Sequence, residues 1–307
     1  GSLVHRGPAF TELALYARVN EKHELELINE LDINLGNNPE EILENLQNKN
    51  YTTKDINYSK KNASDKNYSK IVRDVHSEIP ARYNSDKRLL YGASGSAGKI
   101  AVFAVRLDTY PAPKRKKVFY LGTNDPDHFW EIRREILQKF KNLPRLGDYL
   151  HRDCYVTAQN YSKDTFVLIE RLGTNFLPFL FLSKRILDLI SSKIPFLPKN
   201  FSDRLMQFVG LLLPNHLPKK MDNFRDKFEH HWIIEMTDEG ITEARDYFVK
   251  FFKGKNADFF ECNETESKKA MLHRYVSAGA FGRYFLMNEN KVGEMITIDV
   301  AFSRNQK

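Results

Sequence analysis

The sequence predicts an α+β fold in which an antiparallel sheet carries helices on one face. Runs with the period-2 pattern of strands alternate with amphipathic runs of helical period, and the connections between them are short. The chain is also long enough to form two domains, since 307 residues with 41% hydrophobic content can bury more than one core. We therefore expect two folded domains.

The N-terminal part predicts a hairpin followed by a polar stretch. Apolar residues alternate over 13–19 and 25–28, with a charged turn between them. Residues 37–70 are rich in Asn, Lys, Ser, Asp and Glu and contain NYSK twice, which is typical of a solvated insertion. Within that insertion we expect one short helix, at 39–47.

A stretch of small residues, GASGSAGKIAVFAVRL at 92–107, raises the question of a phosphate-binding loop. A P-loop requires a glycine where Ala93 stands and a Ser or Thr where Ile100 stands. The residues after Gly98 and Lys99 are β-branched and alternate, which indicates a strand rather than a helix. The stretch therefore predicts a turn that enters a strand, and its glycines allow the backbone to approach a ligand closely.

The remainder of the chain alternates between strands and helices. The predicted strands are IAVFAVRLDTY (100–110), VFYLGT (118–123), DTFVLIERL (164–172), HWIIEMT (231–237), ADFFECN (257–263) and EMITIDVAFSR (294–304). The predicted helices lie at 126–140, 240–254 and 268–284, where apolar residues recur every three or four positions.

The excess positive charge is concentrated between residues 176 and 228. This segment holds nine basic and four acidic residues, a net charge of +5 out of +7 for the whole chain. Phe and Leu stand beside Lys and Arg, as in segments that lie in a lipid interface, and no apolar run reaches the length of a membrane span. A helical subdomain packed on the protein itself is the alternative. Nucleic acid is disfavoured, because the aromatic residues occur with Leu and Pro rather than as a stacking platform.

The cysteine and histidine patterns predict neither a disulfide nor a metal site. Cys154 and Cys262 lie far apart in the sequence without metal-ligand spacing. His230 and His231 are adjacent on a predicted strand, so their side chains should point to opposite faces and cannot hold one ion. We expect no bound metal and a structural role for these two histidines.

One basic cluster suggests anion binding. Arg274 follows His273 near the end of a predicted helix, and Arg283 comes nine residues after Arg274. Two arginines that converge on one pocket would suit a small carboxylate, because a guanidinium group offers parallel donors. The alternative is that both arginines lie on the exposed face of an amphipathic helix.

Five stretches of the chain together resemble one enzyme family. They are GSLVHRGPAFTE, ASGSAGKIAVFAVRLDTY, GDYLHRDCY, FRDKFEHH and LHRYVSAGAFGRY. The family is the bacterial respiratory D-lactate dehydrogenases, FAD-dependent, quinone-linked peripheral membrane enzymes of the vanillyl-alcohol-oxidase flavoprotein superfamily. The resemblance runs from end to end and implies that the chain is an internal portion of such an enzyme.

The resemblance also implies a division of the chain into parts. Residues 1–107 would form the second half of a VAO/PCMH-type FAD-binding domain, and residues 108–175 and 229–307 would form two parts of an α+β cap domain. Residues 176–228 would be a basic membrane-binding segment whose partner is an anionic lipid surface.

The implied function is oxidation of D-lactate to pyruvate by hydride transfer to flavin N5, with electrons passed to a membrane quinone at the cytoplasmic face of the bacterial inner membrane. Arg274 and Arg283 would bind the substrate carboxylate, and His273 would transfer a proton. The implied FAD contacts are Gly1, Gly95, Gly98 and Val102. Two alternatives remain: another FAD-linked D-2-hydroxy-acid dehydrogenase, or a membrane-surface-binding module without catalytic activity.

Overall fold

A computed structural model describes residues 7, 11–83, 86–94, 96, 98–290, 298 and 300–306. The chain divides into two compact units. The first comprises Gly1–Pro113, Arg134–Arg145 and Val300–Lys307, and the second comprises Lys114–Arg133 and Leu146–Asp299. Each unit contains one antiparallel sheet together with helices, so the predicted α+β class is confirmed.

The first unit contains a three-stranded sheet. Its strands are β1 (Ala14–Val19), β2 (Leu25–Asn29) and β3 (Ile100–Val105). The order is β2-β1-β3 and both pairings are antiparallel. The hairpin and the strand after the small-residue turn lie where the sequence predicts them.

The predicted insertion at 37–70 contributes to the core of the first unit. Helix α1 (Pro39–Asn48) is capped by the side chain of Asn38, which accepts a hydrogen bond from the backbone N–H of Glu41. Ile42 of this helix packs with Leu15 of β1 and with Leu35. Most residues of 37–70 are exposed or half-buried, as the composition predicts, and the expected short helix is present. Ile42 is the contact through which this helix joins the core.

The rest of the first unit consists of short elements and long-range polar contacts. Helix α2 (Tyr68–Ile71) and the 3-10 turns Thr53–Asp55 and Lys87–Leu89 lie between α1 and β3. Arg304 donates to the carbonyl of Ile79 at 2.8 Å. Much of the strand predicted at 294–304 falls outside the described residues, and residues 298 and 300–304 are not in a strand.

The second unit contains a four-stranded antiparallel sheet. Its strands are β4 (Lys116–Thr123), β5 (Leu146–His151), β6 (His230–Thr237) and β7 (Ala257–Glu261). They are ordered β5-β6-β4-β7. Helix α3 (Pro126–Lys139) begins in this unit, and its residues from Arg134 onwards belong to the first. The other helices of this unit are α4 (Arg152–Tyr161), α5 (Lys163–Leu172), α6 (Leu177–Ser191), α7 (Phe201–Leu212), α8 (Lys219–Lys227), α9 (Gly240–Phe252) and α10 (Glu264–Met287).

Helices cover both faces of the second sheet, not one face as predicted. Phe119 and Tyr120 are neighbours on β4, so their side chains point to opposite faces. Phe119 contacts Phe248 of α9 with ring centroids 5.3 Å apart. Tyr120 contacts Phe224 of α8 at 5.9 Å and belongs to a core cluster with Tyr155 of α4. The sheet is therefore the middle layer of the unit.

One predicted strand in this unit is a helix. Residues 164–172 form most of α5, in which Phe166 and Ile169 are buried three positions apart. That spacing places both side chains on one helical face against the core cluster. A short apolar run fits either a strand or a buried helix, and here the packing partners decide.

Candidate membrane-binding surface

Helices α6 and α7 are joined by polar contacts. Asp188 of α6 accepts hydrogen bonds from the backbone N–H and the hydroxyl of Ser202, at 3.0 and 2.8 Å. Lys184, one turn earlier, donates to Asp203 Oδ1 at 2.6 Å. These bonds hold the start of α7 against α6, so the two helices form one layer.

Arg283 of α10 connects this layer to α5 and α10 through ion pairs. Its guanidinium forms ion pairs with Asp164 of α5 and with Asp203 of α7. The arginine side chain is 7% exposed and the two carboxylates are 8% and 13% exposed. Charged groups this far from water are stable only when they are paired, so Arg283 acts here as a structural cross-link between three helices. Sequence reasoning missed this role, because Asp164 stood at the start of a presumed strand.

Many large apolar side chains of this layer are exposed. Phe196, in the connection between α6 and α7, is 86% exposed, and Leu212 at the end of α7 is 71% exposed. The apolar surface consists of Leu172, Phe179, Phe181, Leu182, Ile186, Leu187, Leu189, Ile190, Phe196, Leu205, Phe208, Val209, Leu211 and Leu212. A contiguous stretch of chain with this many exposed large apolar side chains marks an interaction site rather than an ordinary protein surface.

The exposed charges within residues 172–212 are basic, and the exposed Glu289 pairs with Arg204 of α7. Residues 172–212 contain five basic and two acidic residues. Both acidic residues, Asp188 and Asp203, are engaged in the contacts between α6 and α7, whereas Arg185, Lys193 and Lys199 are exposed. The segment therefore presents apolar side chains and positive charge together.

The last part of the predicted membrane segment, residues 213–228, packs into the core instead. Met221 and Phe228 of this part are fully buried. A Cβ atom at Gly122 of β4 would clash with the ring of Phe228. Lys220 pairs with Glu266 at 3.3 Å. The exposed apolar residues of the predicted segment 176–228 lie in its first two thirds, together with Leu172 just before it.

Among the described helices, none is long and apolar enough by itself to cross a membrane. Lys163–Leu172 and Thr174–Ser191 reach that length and composition only when they are taken together, and they are bent by 114° at their junction. Gly173 stands at the bend with φ +76, a conformation that glycine adopts without strain.

The predicted convergence of Arg274 and Arg283 does not occur. Both lie on α10, and nine residues of a helix correspond to about two and a half turns, so the two side chains leave opposite sides. Arg283 faces α5 and α7. Arg274 pairs with Asp148 of β5, and burial lowers the pKa of its guanidinium.

Arg274 borders a cavity of its own. The cavity has a volume of about 330 Å³ and is also lined by Asp148, Tyr149, Tyr275 and Ser277. Ser277 Oγ already donates to the carbonyl of Arg274 at 2.7 Å, and Tyr149 Oη lies 2.8 Å from His230 Nδ1. The guanidinium of Arg274 is therefore the main donor here that suits a small carboxylate. The guanidinium of Arg274 is already in contact with the carboxylate of Asp148.

His273 lies in the hydrophobic core. It is fully buried, its ring centroid is 4.5 Å from that of Tyr155, and burial lowers its pKa to about 3. Two further histidines lie in this core, His216 and His231, and burial lowers the pKa of each to about 4. The closed environment of His273 argues against the proton-transfer role expected from sequence.

Two of the four expected flavin contacts can be located. Gly98 has φ +78, and no atom lies within 4 Å of the position that a Cβ would take. Val102 lies on β3, an edge strand, and is 49% exposed. Gly1 and Gly95 lie outside the described residues.

Comparison with known proteins identifies relatives along the whole chain. The chain is 47% identical over 305 residues to the quinone-dependent D-lactate dehydrogenase of Escherichia coli K12, which covers 99% of this chain and 53% of that protein. It is 49% identical over 308 residues to the enzyme of the same name from Haemophilus influenzae, covering 100% of this chain and 55% of that protein. A Corynebacterium glutamicum enzyme of that name is 36% identical over 307 residues, covering 99% and 54%.

These comparisons confirm the resemblance seen in the sequence. The chain spans about half the length of the curated relatives it matches. A family model described as D-lactate dehydrogenase, membrane binding, matches residues 118–307, which include all of α6 and α7 and therefore the apolar surface. The chain thus belongs to the D-lactate dehydrogenase membrane-binding family and is a portion of a protein similar to the quinone-dependent enzymes.

Proposed function

We propose that this chain attaches a flavin-dependent D-lactate dehydrogenase to the surface of the bacterial inner membrane, at its cytoplasmic face, and contributes to its substrate site. The observation that carries the attachment is the apolar surface of α6 and α7 with exposed Arg185, Lys193 and Lys199 beside it. Helices with this combination lie in the interface, with apolar side chains among the acyl chains and cations near the head groups.

Two physical terms would hold the protein to the membrane. Each Lys or Arg near an anionic leaflet contributes roughly 1 kcal/mol. Each large apolar side chain that leaves water contributes about 1.5–3 kcal/mol. Because the first term is screened by salt and the second is not, attachment should weaken at high salt without being abolished.

The proposed reaction is the oxidation of D-lactate to pyruvate, with a membrane quinone as the electron acceptor. This assignment is supported by the names of the relatives and by the family, and it concerns the complete enzyme rather than this portion alone. FAD, the proposed cofactor, supplies a two-electron acceptor when bound. Gly98 and Val102 fit a surface beside it, since both are accessible and Gly98 has open space at its Cβ position.

Within this chain we propose Arg274 as the ligand of the substrate carboxylate. It borders a cavity together with Tyr149, Tyr275 and Ser277. The substrate carboxylate would then replace or share the contact that Asp148 makes with Arg274. Arg283 and His273 do not line this cavity: Arg283 is paired with two carboxylates, and His273 is enclosed by the core.

A reconstitution of the complete protein tests this function. The full-length protein is loaded with FAD, and oxidation of D-lactate is followed with a soluble dye and with a quinone, in the presence and absence of anionic vesicles. We expect oxidation of D-lactate and co-sedimentation with the vesicles. Preference for a longer D-2-hydroxy acid would favour another enzyme of the same class. Co-sedimentation without flavin absorbance would favour a binding module without catalytic activity.

A further inference from the structure

We infer that a cavity beneath the apolar surface binds the head group of the membrane quinone, an inference that rests on the proposed function. The cavity has a volume of about 250 Å³ and lies within the second unit among α5, α6, α7 and α10. Each of the four helices contributes residues to its lining, for example Thr165, Phe181, Met206 and Gly279.

The cavity borders the apolar surface. Phe181 of α6 lines the cavity and is also 61% exposed. Leu177 and Leu180, from the same helix, line it as well. A hydrophobic molecule dissolved in the membrane could therefore reach the cavity along α6 without crossing water, and its tail could remain among the acyl chains.

The inner end of the cavity is polar but its charges are already balanced. Arg283, Lys184 and Asp203 line it, and Arg283 also pairs with Asp164. Two cations thus face two carboxylates, with Lys184 Nζ 2.6 Å from Asp203 Oδ1. An anionic head group such as a phosphate would find no uncompensated positive charge here, whereas a neutral group with hydrogen-bond acceptors would fit.

The donors and walls match a neutral ring that carries carbonyl groups. An ammonium group has three N–H donors, and Lys184 also lines the cavity as well as bonding Asp203. Tyr161 and Tyr275 supply phenol groups and ring faces. The cavity is smaller than the roughly 300–1,000 Å³ of sites for drug-sized ligands, so it accommodates a single ring better than a lipid head group with its glycerol. A quinone head group has this size, neutrality and pair of acceptors.

The test uses two glycines of α10. Gly279 lines the cavity, Gly282 does not, and both have open space at the Cβ position. Gly279→Leu therefore adds a side chain at the wall of the cavity, from a position where a Cβ has open space, and Gly282→Leu is the matched control with the same change on the same helix. Both replacements favour the helix, since leucine has a higher helix propensity than glycine.

The measurement uses the full-length holoenzyme in detergent with a short-chain quinone. Rates are normalised to the rate with a soluble dye, which reports folded, flavin-loaded enzyme. We expect Gly279→Leu to raise the KM for the quinone about tenfold or more over that of Gly282→Leu. Equal KM values for the two variants would overturn the inference while leaving the proposed function intact.

Two other outcomes also contradict the inference. If Gly279→Leu weakens binding to anionic vesicles but leaves the KM for the quinone in detergent unchanged, the cavity takes a lipid and not a quinone. If the parent enzyme oxidises no D-lactate with the dye, the proposed function fails and the inference fails with it.

Discussion

Arg283 of α10 and Asp203 of α7 form a buried ion pair, with Nε and Oδ1 3.4 Å apart and side chains that are 7% and 13% exposed. Because Asp203 also accepts a hydrogen bond from Lys184 of α6, this one carboxylate connects both helices of the apolar surface to the long helix behind them. The surface is thereby held in place by charged groups that are largely buried.

Removal of Arg283 should destabilise the second unit strongly. Arg283→Leu leaves Asp164 and Asp203 buried with one partner fewer, and breaking a buried pair in this way costs about 3–5 kcal/mol. Urea unfolding would measure the loss. Arg185→Leu is the control, since Arg185 is exposed on the same layer and should change the free energy of unfolding by less than about 0.5 kcal/mol. Equal effects of the two variants would contradict the structural role.

Neutralisation of the exposed cations should weaken membrane attachment. The triple variant of Arg185, Lys193 and Lys199 to Gln removes three contributions of about 1 kcal/mol each, so we expect the affinity for anionic vesicles to fall about 100-fold at low salt. Co-sedimentation measures it. The control changes Lys219, Lys220 and Lys227 to Gln, the same charge difference on α8, and should retain more of the binding. A larger loss in the control would place the membrane contact on α8.

The apolar surface should account for the attachment that salt does not remove. Phe196→Ser with Leu212→Ser should lower the affinity for vesicles at near-molar salt by about 100-fold or more, since each side chain contributes about 1.5–3 kcal/mol on leaving water. Co-sedimentation measures it. Leu25→Ser is the control, as Leu25 is 80% exposed in the first unit. Unchanged binding of the double variant at high salt would show that these residues do not enter the membrane.

The buried histidines should make stability depend on pH. Burial lowers the pKa of His216 and His231 to about 4 and that of His273 to about 3, whereas an unfolded chain has histidine pKa values near 6.5. Below pH 6.5 the unfolded state therefore binds more protons, and stability falls as the pH falls towards 4. Each histidine should cost about 2 kcal/mol at pH 5 relative to pH 7.

Urea unfolding at pH 7 and pH 5 measures this dependence. Between pH 7 and pH 5, the free energy of unfolding should fall less for His273→Leu than for the parent. The difference should equal the contribution of one histidine, about 2 kcal/mol. Other titrating groups are common to both proteins and cancel in the comparison. The same loss in parent and variant would mean that His273 can be protonated without unfolding.

Arg274→Ala in the complete enzyme should lower kcat/KM for D-lactate. A hydrogen bond to a charged group contributes about 1.5–3 kcal/mol, which corresponds to about a 10- to 150-fold decrease. Arg274→Lys should restore part of it, because the charge is kept but the two-pronged contact is lost. Arg245→Ala, which breaks the pair between Arg245 of α9 and Glu261 of β7, is the control. An unchanged kcat/KM for Arg274→Ala would refute the assignment.

Long periodic runs determined their own secondary structure. The strand at 231–237 and the helix at 268–284 lie within β6 and α10. Local information is sufficient there, since α10 even begins with a capping box in which Asn263 and Glu266 satisfy each other's backbone N–H groups. The sequence also determined the concentration of positive charge at 176–228 and, through its five long motifs, the family.

Tertiary structure alone decided which apolar residues are buried and which groups meet. Phe166 and Phe179 are both phenylalanines in apolar runs, yet Phe166 is enclosed by the core while Phe179 is 60% exposed. Likewise, Arg274 and Arg283 look alike in the sequence but leave opposite sides of one helix towards different carboxylates. The physical reason is that composition and period set the face on which a residue lies, whereas burial and pairing depend on which distant elements pack against that face.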